Sequence, residues 1–292
     1  MTTTMRTTAR PGSVVVGVDG SPFSDAAVEW AAACAAARRT PLTLVHAVGD
    51  LGGYLVPLRA EARHMAAPVA RRIIEQASGI ARRTSSEVDL ETRTLEEDPR
   101  QALLGIEDAY MLVVGTRGHG PIASLLLGSV SQALVSHARC PVTVVRPADE
   151  RPVDQEAGKS GKVVVGVDVD GGAGEALEVA FEIASMSRRP VEVLHTATAP
   201  APELAEVAEL LSGYSEKYPD VQVTTRMADD APAAALVHAS QSAAHVVVGG
   251  PDARRGRRHL GSLGSLGRTV VEHAHCPVTV IPPPGGGHRG PR

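Results

Sequence analysis

The stretch best suited to hold an anion runs Gly115-Thr-Arg-Gly118-His-Gly-Pro-Ile-Ala-Ser-Leu-Leu-Leu-Gly128-Ser129-Val130-Ser131, with the spacing Gly-x2-Gly-x9-Gly-Ser. Glycines carry no Cβ, so main-chain N–H groups can come close to phosphate oxygens. Gly128 and Ser129 fall where a following helix begins, and the first N–H groups and the dipole of a helix favour an anion. Ser131 adds a hydroxyl from the first turn, and Arg117 and His119 lie inside the loop, within reach of a phosphate. Asp19 supplies a carboxylate after a separate Val-rich run, Ser13-Val-Val-Val-Gly-Val-Asp19. Taken singly, the glycines could serve tight turns and Asp19 could cap a helix; the spaced set, with its following serine, favours phosphate.

These residues need strands and helices to bring them together, and the sequence supplies that set twice. Ser13–Asp19 returns as Lys162-Val-Val-Val-Gly-Val-Asp168, and Leu42-Thr-Leu-Val-His46 returns as Val191-Glu-Val-Leu-His195, both at an offset of 149. Cys140-Pro-Val-Thr-Val-Val145 returns as Cys276-Pro-Val-Thr-Val-Ile281 at an offset of 136, so the second copy is 13 residues shorter in its middle. A period this long marks a duplicated domain, since solenoid repeats recur every ~20–50 residues. The expected layout is a tail at 1–12, a domain at 13–146, a linker at 147–161 rich in charge, Pro and Gly, a domain at 162–281, and a tail at 282–292. In the first copy the pattern predicts strands at 13–18, 42–47, 87–93, 111–115 and 141–145. It predicts helices at 23–38, 58–83, 99–109 and 129–137, with Pro22 and Pro99 in first helical turns. Apolar strands without polar alternation must be covered on both faces. The fold class is therefore α/β: two tandem doubly wound domains, each a five-stranded parallel sheet flanked by helices. Ligands of such sheets sit beyond the carboxyl ends of the strands, where the strand order reverses.

Composition narrows the partners. A chain of 292 residues, 43% hydrophobic and 21% charged, is long enough for two globular domains. Its net charge of -4 gives no global attraction to nucleic acid or an anionic membrane, and Trp30, two Phe and four Tyr leave few rings for stacking on bases. No apolar run reaches the ~20 residues of a membrane span and no signal-peptide block opens the chain, so a cytoplasmic location is expected. Cys34, Cys140 and Cys276 lack metal-ligand spacing and read as buried, reduced side chains. His46 and His195 end equivalent strands without a triad partner and read as structural.

The Gly-x2-Gly-x9-Gly-Ser segment, set in two such repeats, resembles the universal stress protein family in its tandem, nucleotide-binding form. The resemblance covers roughly 13–146 and 162–281 and implies a Rossmann-like, adenine nucleotide alpha hydrolase-like fold. It assigns phosphate binding to Gly115, Gly118, Gly128 and Ser129, with Arg117, His119, Val130 and Ser131 in the same loop, ribose to Asp19, and adenine to Ala47. It implies ATP as the ligand, with Mg2+ as a phosphate counterion, and side-by-side first and fourth strands. Last strands that mediate domain pairing imply an intramolecular pseudo-dimer and a homodimer.

The second copy departs from this pattern. It keeps Asp168, Gly249, Gly264 and Ser265 as weaker candidates, but 14 residues separate Gly249 from Gly264 where 12 separate Gly115 from Gly128. Arg254 stands near the place of Gly118, within a basic run, Arg254, Arg255, Arg257, Arg258 and His259, that reads as a solvated surface or a phosphate dock. Gly267 replaces Ser131. The first copy is therefore expected to bind ATP well and the second weakly, differently or not at all. A P-loop ending is missing, since Lys159, Lys162 and Lys217 are the only lysines and none lies in a glycine loop. No catalytic residue and no protein metal site is assigned; a binding protein is expected, with a slow ATP-dependent enzyme and a nucleotide-independent interaction module as the alternatives.

Overall fold

The computed structural model describes residues 9–49, 56–118, 127–147, 161–167, 173–196, 201–228, 230–249 and 265–282. The chain divides into two compact units between Leu134 and Val135. The first contains β1 (Val14–Gly17), α1 (Pro22–Arg38), β2 (Leu42–Ala47), α2 (Val56–Thr84), β3 (Leu90–Leu95), α3 (Pro99–Leu104), β4 (Met111–Gly115) and the start of α4 (Ser129–His137). Its strands run parallel in the order β3-β2-β1-β4. The order reverses at β1, with β2 on one side and β4 on the other, so a crevice opens at the carboxyl ends of β1 and β4.

Val14, Val15 and Val16 are fully buried. Side chains alternate between the two faces of a strand, so both faces of β1 are covered, and each valine contributes roughly 1.5–3 kcal/mol. Helix α1 starts on Ser21, whose side chain accepts from the Ser24 N–H at 3.2 Å, and on Pro22, whose missing N–H costs nothing there. Its Ala27, Val28, Ala31, Ala32 and Ala35 face the sheet, and small side chains let the helix sit close. A Cβ on Gly17 would lie 2.8 Å from Leu103 Cδ1, so α3 packs directly over the end of β1.

The second unit holds the end of α4, then β5 (Val142–Val145), β6 (Val163–Gly166), α5 (Ala173–Ser187), β7 (Val191–Thr196), α6 (Ala201–Lys217), β8 (Val223–Ala228), α7 (Pro232–Ala239), β9 (His245–Gly249), α8 (Ser265–His273) and β10 (Val278–Ile281). Its order is β5-β10-β9-β6-β7-β8, parallel except for the antiparallel β5–β10 pair. Both units are doubly wound, and the architecture is Rossmann-like. The first repeat's last strand thus counts with the second unit. Thr143 faces Thr279 across the β5–β10 pair with hydroxyls 2.7 Å apart, and Thr279 also meets His245 Nε2 at 2.7 Å. Arg146 Nη2 donates to the carbonyls of Val271 at 3.0 Å and Glu272 at 2.7 Å, where the last turn of α8 leaves acceptors open.

Most element bounds fall within two residues of the sequence pattern, and three places differ in a way that has a physical reason. β3 runs 90–95 rather than 87–93, because it is in register with β2 from Leu42↔Leu90 to Ala47↔Leu95. α3 stops at Leu104 rather than 109: Gly105 ends it, and the chain turns through Asp108, at φ 60, to deliver Tyr110 N–H to the Ser13 carbonyl at 2.9 Å. Residues 9–12, read as tail, lie on the first unit, where Arg10 pairs with Asp89 and the Gly12 N–H donates to Asp108 O at 2.7 Å. Cys34, Cys140 and Cys276 are all buried and form no disulfide. Among the described residues no helix is long and apolar enough to cross a membrane.

Candidate functional site

At the β1/β4 switch point lies a cleft of about 250 Å3. Its floor is the ends of the two strands, Gly17, Val18 and Asp19 on one side and Val114 and Gly115 on the other. The wall is Arg117 and Gly118, then Gly128, Ser129, Val130 and Ser131 at the start of α4; Val45 and Ala47 of β2 and Pro99 and Leu103 of α3 complete it. The structure therefore gathers Asp19, Ala47, Gly115, Arg117, Gly118, Gly128, Ser129, Val130 and Ser131 around one space. His119 lies outside the described residues. So do Asp168, Gly264 and the basic run at 254–259; Gly249 ends β9 and Ser265 begins α8.

Two of the glycines are required by contact. A Cβ on Gly115 would stand 2.6 Å from the Phe23 carbonyl carbon, so β4 ends against the backbone of α1's first turn. A Cβ on Gly118 would fall on Oδ2 of Asp19, far inside contact distance. The carboxylate of Asp19 therefore lies against the main chain of the glycine loop. Its other oxygen is fixed: Oδ1 accepts from Ser21 N–H at 3.0 Å and from Ser21 Oγ at 2.6 Å. Ser21 thereby caps α1 and orients Asp19 with the same side chain.

The two ends of the loop are stapled through one carbonyl. Thr116 O accepts from Gly128 N–H at 2.7 Å, and Ser131 Oγ lies 3.1 Å from it and 2.9 Å from Gly128 O. Ser131 is buried, and its hydroxyl proton is directed at these carbonyls, so the side chain ties Thr116 to the start of α4. The helix's first amides then face the cleft from a fixed position, an arrangement that favours a negative ligand group. Arg117 lies with its guanidinium carbon 5.1 Å from the centroid of the Phe23 ring. At the cleft's edge Asp98 caps α3 and accepts from Arg100, whose hydrogen bond holds the Asp98 carboxyl below the usual carboxylate range.

His46 is buried, and its Nδ1–H donates to Val18 O at 2.7 Å, tying β2 to the residue before Asp19. It acts as a structural strut beneath the site, as its lack of a sequence partner suggested. His195 is likewise buried at the end of β7. Sequence reasoning did not single out Gly17, Val18, Ser24, Val45, Pro99, Leu103 or Val114. Most of these stand at strand ends or in first helical turns, so position relative to the switch point was the available signal. Phe23 shares that position in a first helical turn, but its contacts with Gly115 and Arg117 depend on how α1 leaves the sheet.

The universal stress protein family model matches residues 12–146 and 159–282. Two universal stress proteins of Mycobacterium tuberculosis strain H37Rv are similar along the chain. Rv2623 is 36% identical over 290 residues, covering 91% of this chain and 95% of that protein, and Rv2005c is 36% identical over 296 residues, covering 91% and 96%. Among solved structures, a universal stress protein from Archaeoglobus fulgidus DSM 4304 superposes with a TM-score of 0.69 at 17% identity, covering 92% of this chain and 98% of its own, which shows the shared fold. With both repeats matched and close to full-length relatives on either side of the comparison, this chain belongs to the universal stress protein family.

Proposed function

We propose that the first repeat binds ATP and that occupancy, rather than turnover, is the output of this protein as a cytoplasmic stress-response sensor. The observation that carries this reading is the convergence on one cleft of the Gly115–Gly118 turn, the first amides of α4 and the Asp19 carboxylate. Gly115, Gly118, Ser129 and Val130 present main-chain N–H groups to the phosphates, with Gly128, whose own N–H is held by the Thr116 carbonyl, turning the chain into α4 beside them and Arg117 as the neighbouring cation. Asp19, already oriented by Ser21, accepts from the ribose hydroxyls. Ala47, Val45 and Leu103 offer the apolar surface against which adenine lies. Mg2+ accompanies the phosphates as their counterion; among the described residues no cluster of His, Cys, Asp or Glu is built to hold a metal.

The second repeat is proposed as the weaker half. It keeps Asp168, Gly249, Gly264 and Ser265 but has Arg254 near the place of Gly118, and its glycines are spaced two residues further apart. Mass spectrometry of small molecules released from the purified, gently denatured chain tests the ligand; adenine nucleotide at about one per chain is expected. Calorimetric titration with Mg-ATP is expected to show one tight site. An empty chain that takes up no ATP refutes the reading, and two equal tight sites refute the asymmetry.

A further inference from the structure

Phe23 is one of two phenylalanines in the chain. It sits in the first turn of α1, just after the Ser21 cap and Pro22, and touches the glycine loop at two places. Its backbone closes against Gly115, where a Cβ would be 2.6 Å away. Its ring stands beneath Arg117, 5.1 Å from the guanidinium carbon. A guanidinium within ~6 Å of a ring centroid is attracted by the negative face of the ring. A planar ring also restricts the rotamers of the long arginine side chain, which otherwise loses much conformational freedom on binding.

Arg117 lines the cleft beside Gly118 and the start of α4. We infer that Phe23 is a positioning residue: its ring holds the Arg117 guanidinium at the phosphate end of the cleft and so sets how strongly the site prefers phosphorylated adenosine over adenosine itself. This rests on the nucleotide reading above and adds to it a residue that touches no ligand. The asymmetry between repeats supports it. The residue at the equivalent offset in the second copy is Gly172, which has no ring to offer.

The test is calorimetric titration of the full chain with ATP, AMP and adenosine, each against wild type, Phe23→Leu, Phe23→Tyr, Arg117→Gln and the Phe23→Leu/Arg117→Gln pair. Phe23→Leu is expected to lose about fivefold in ATP affinity, less for AMP, with adenosine unchanged. Phe23→Tyr, which keeps a ring, restores ATP affinity to within about twofold and controls for loss of packing. In the Arg117→Gln background, Phe23→Leu costs nothing further, because the partner of the ring is gone. Unchanged ATP affinity in Phe23→Leu overturns the inference. So does an equal loss for adenosine, or a loss that adds fully to that of Arg117→Gln. In each of those cases wild-type ATP binding leaves the nucleotide reading standing. A wild-type chain that binds none of the three ligands overturns both.

Discussion

The two repeats keep the same packing device beneath the sheet crevice and differ in how they anchor the helix above it. In the first, a Cβ on Gly17 would meet Leu103 of α3 at 2.8 Å; in the second, a Cβ on Gly166 would meet Leu236 of α7 at 2.9 Å. The first turn of α1 is held by a polar bond, Gln76 Nε2 of α2 to Asp25 Oδ2 at 2.7 Å. The first turn of α5 is held by an aromatic residue: Tyr214 Oη of α6 donates to Gly174 O at 2.6 Å, and the Tyr214 ring stacks on Phe181 at 5.2 Å. Phe181 stands where the first repeat has Ala32. Duplication has preserved the contact that closes the sheet's end, where any change of volume is felt by a packed core. The bonds that anchor the helix starts have diverged.

The sharpest way to break this contrast is at Gly118. Gly118→Val puts a branched Cβ onto the Asp19 carboxylate, which Ser21 holds in place, and must either move Asp19 or open the glycine loop. Mg-ATP affinity is expected to fall about 100-fold, or ~2.7 kcal/mol, measured by calorimetry. Full affinity in this variant would show that the nucleotide lies elsewhere, the second repeat included.

Gly17→Ala and Gly166→Ala sharpen the comparison from the packing side. Each forces a leucine off its position over a strand end, and overpacking of this kind costs roughly 1–3 kcal/mol. Urea unfolding is expected to show losses of similar size for both. Only Gly17→Ala is expected to weaken ATP binding as well, because Gly17 and Leu103 both line the cleft. Equal effects of the two variants on ATP binding would mean that both halves contribute to the site.

The repeat made most of this legible in advance. Matching Val-Val-Val-Gly-Val-Asp runs at a constant offset located β1 and β6, and the spaced glycines located the loop after β4, because both signals are local in sequence. What the sequence did not show depends on distant partners. The bounds of β3 follow β2, and a reading of 87–95 in isolation sees only Val88 and Leu90 as apolar starts. Helix α3 yields at Gly105 because the chain must turn to bring Tyr110 against Ser13. Ser131 lines the cleft as its place in a first helical turn suggests, but its bonds to the Thr116 and Gly128 carbonyls depend on how the chain returns to β4 and were not visible. The Phe23 platform is a matter of helix trajectory, on which residue type is silent.

The smallest effect separates the two anchors by pH. Burial, and then the negative charge of Glu178, pushes the Tyr214 hydroxyl up to about 12, whereas a tyrosine in the unfolded chain titrates near ~10. Between those values the folded state keeps a proton that the unfolded state releases, so unfolding is increasingly favoured as pH rises. The contribution of Tyr214 is complete below pH ~10 and is lost as the pH passes through its folded value. Tyr214→Phe removes the bond to the Gly174 carbonyl and is expected to cost about 1 kcal/mol at neutral pH. It should also flatten the alkaline limb of the wild-type stability curve, followed by urea midpoints at a series of pH values. Gln76→Leu, which cuts the corresponding tie in the first repeat, removes no titrating group from α2 and should leave that limb parallel to wild type. If both variants bend the limb alike, the alkaline sensitivity belongs to groups common to the whole chain, and the aromatic anchor of the second repeat does not distinguish it from the first.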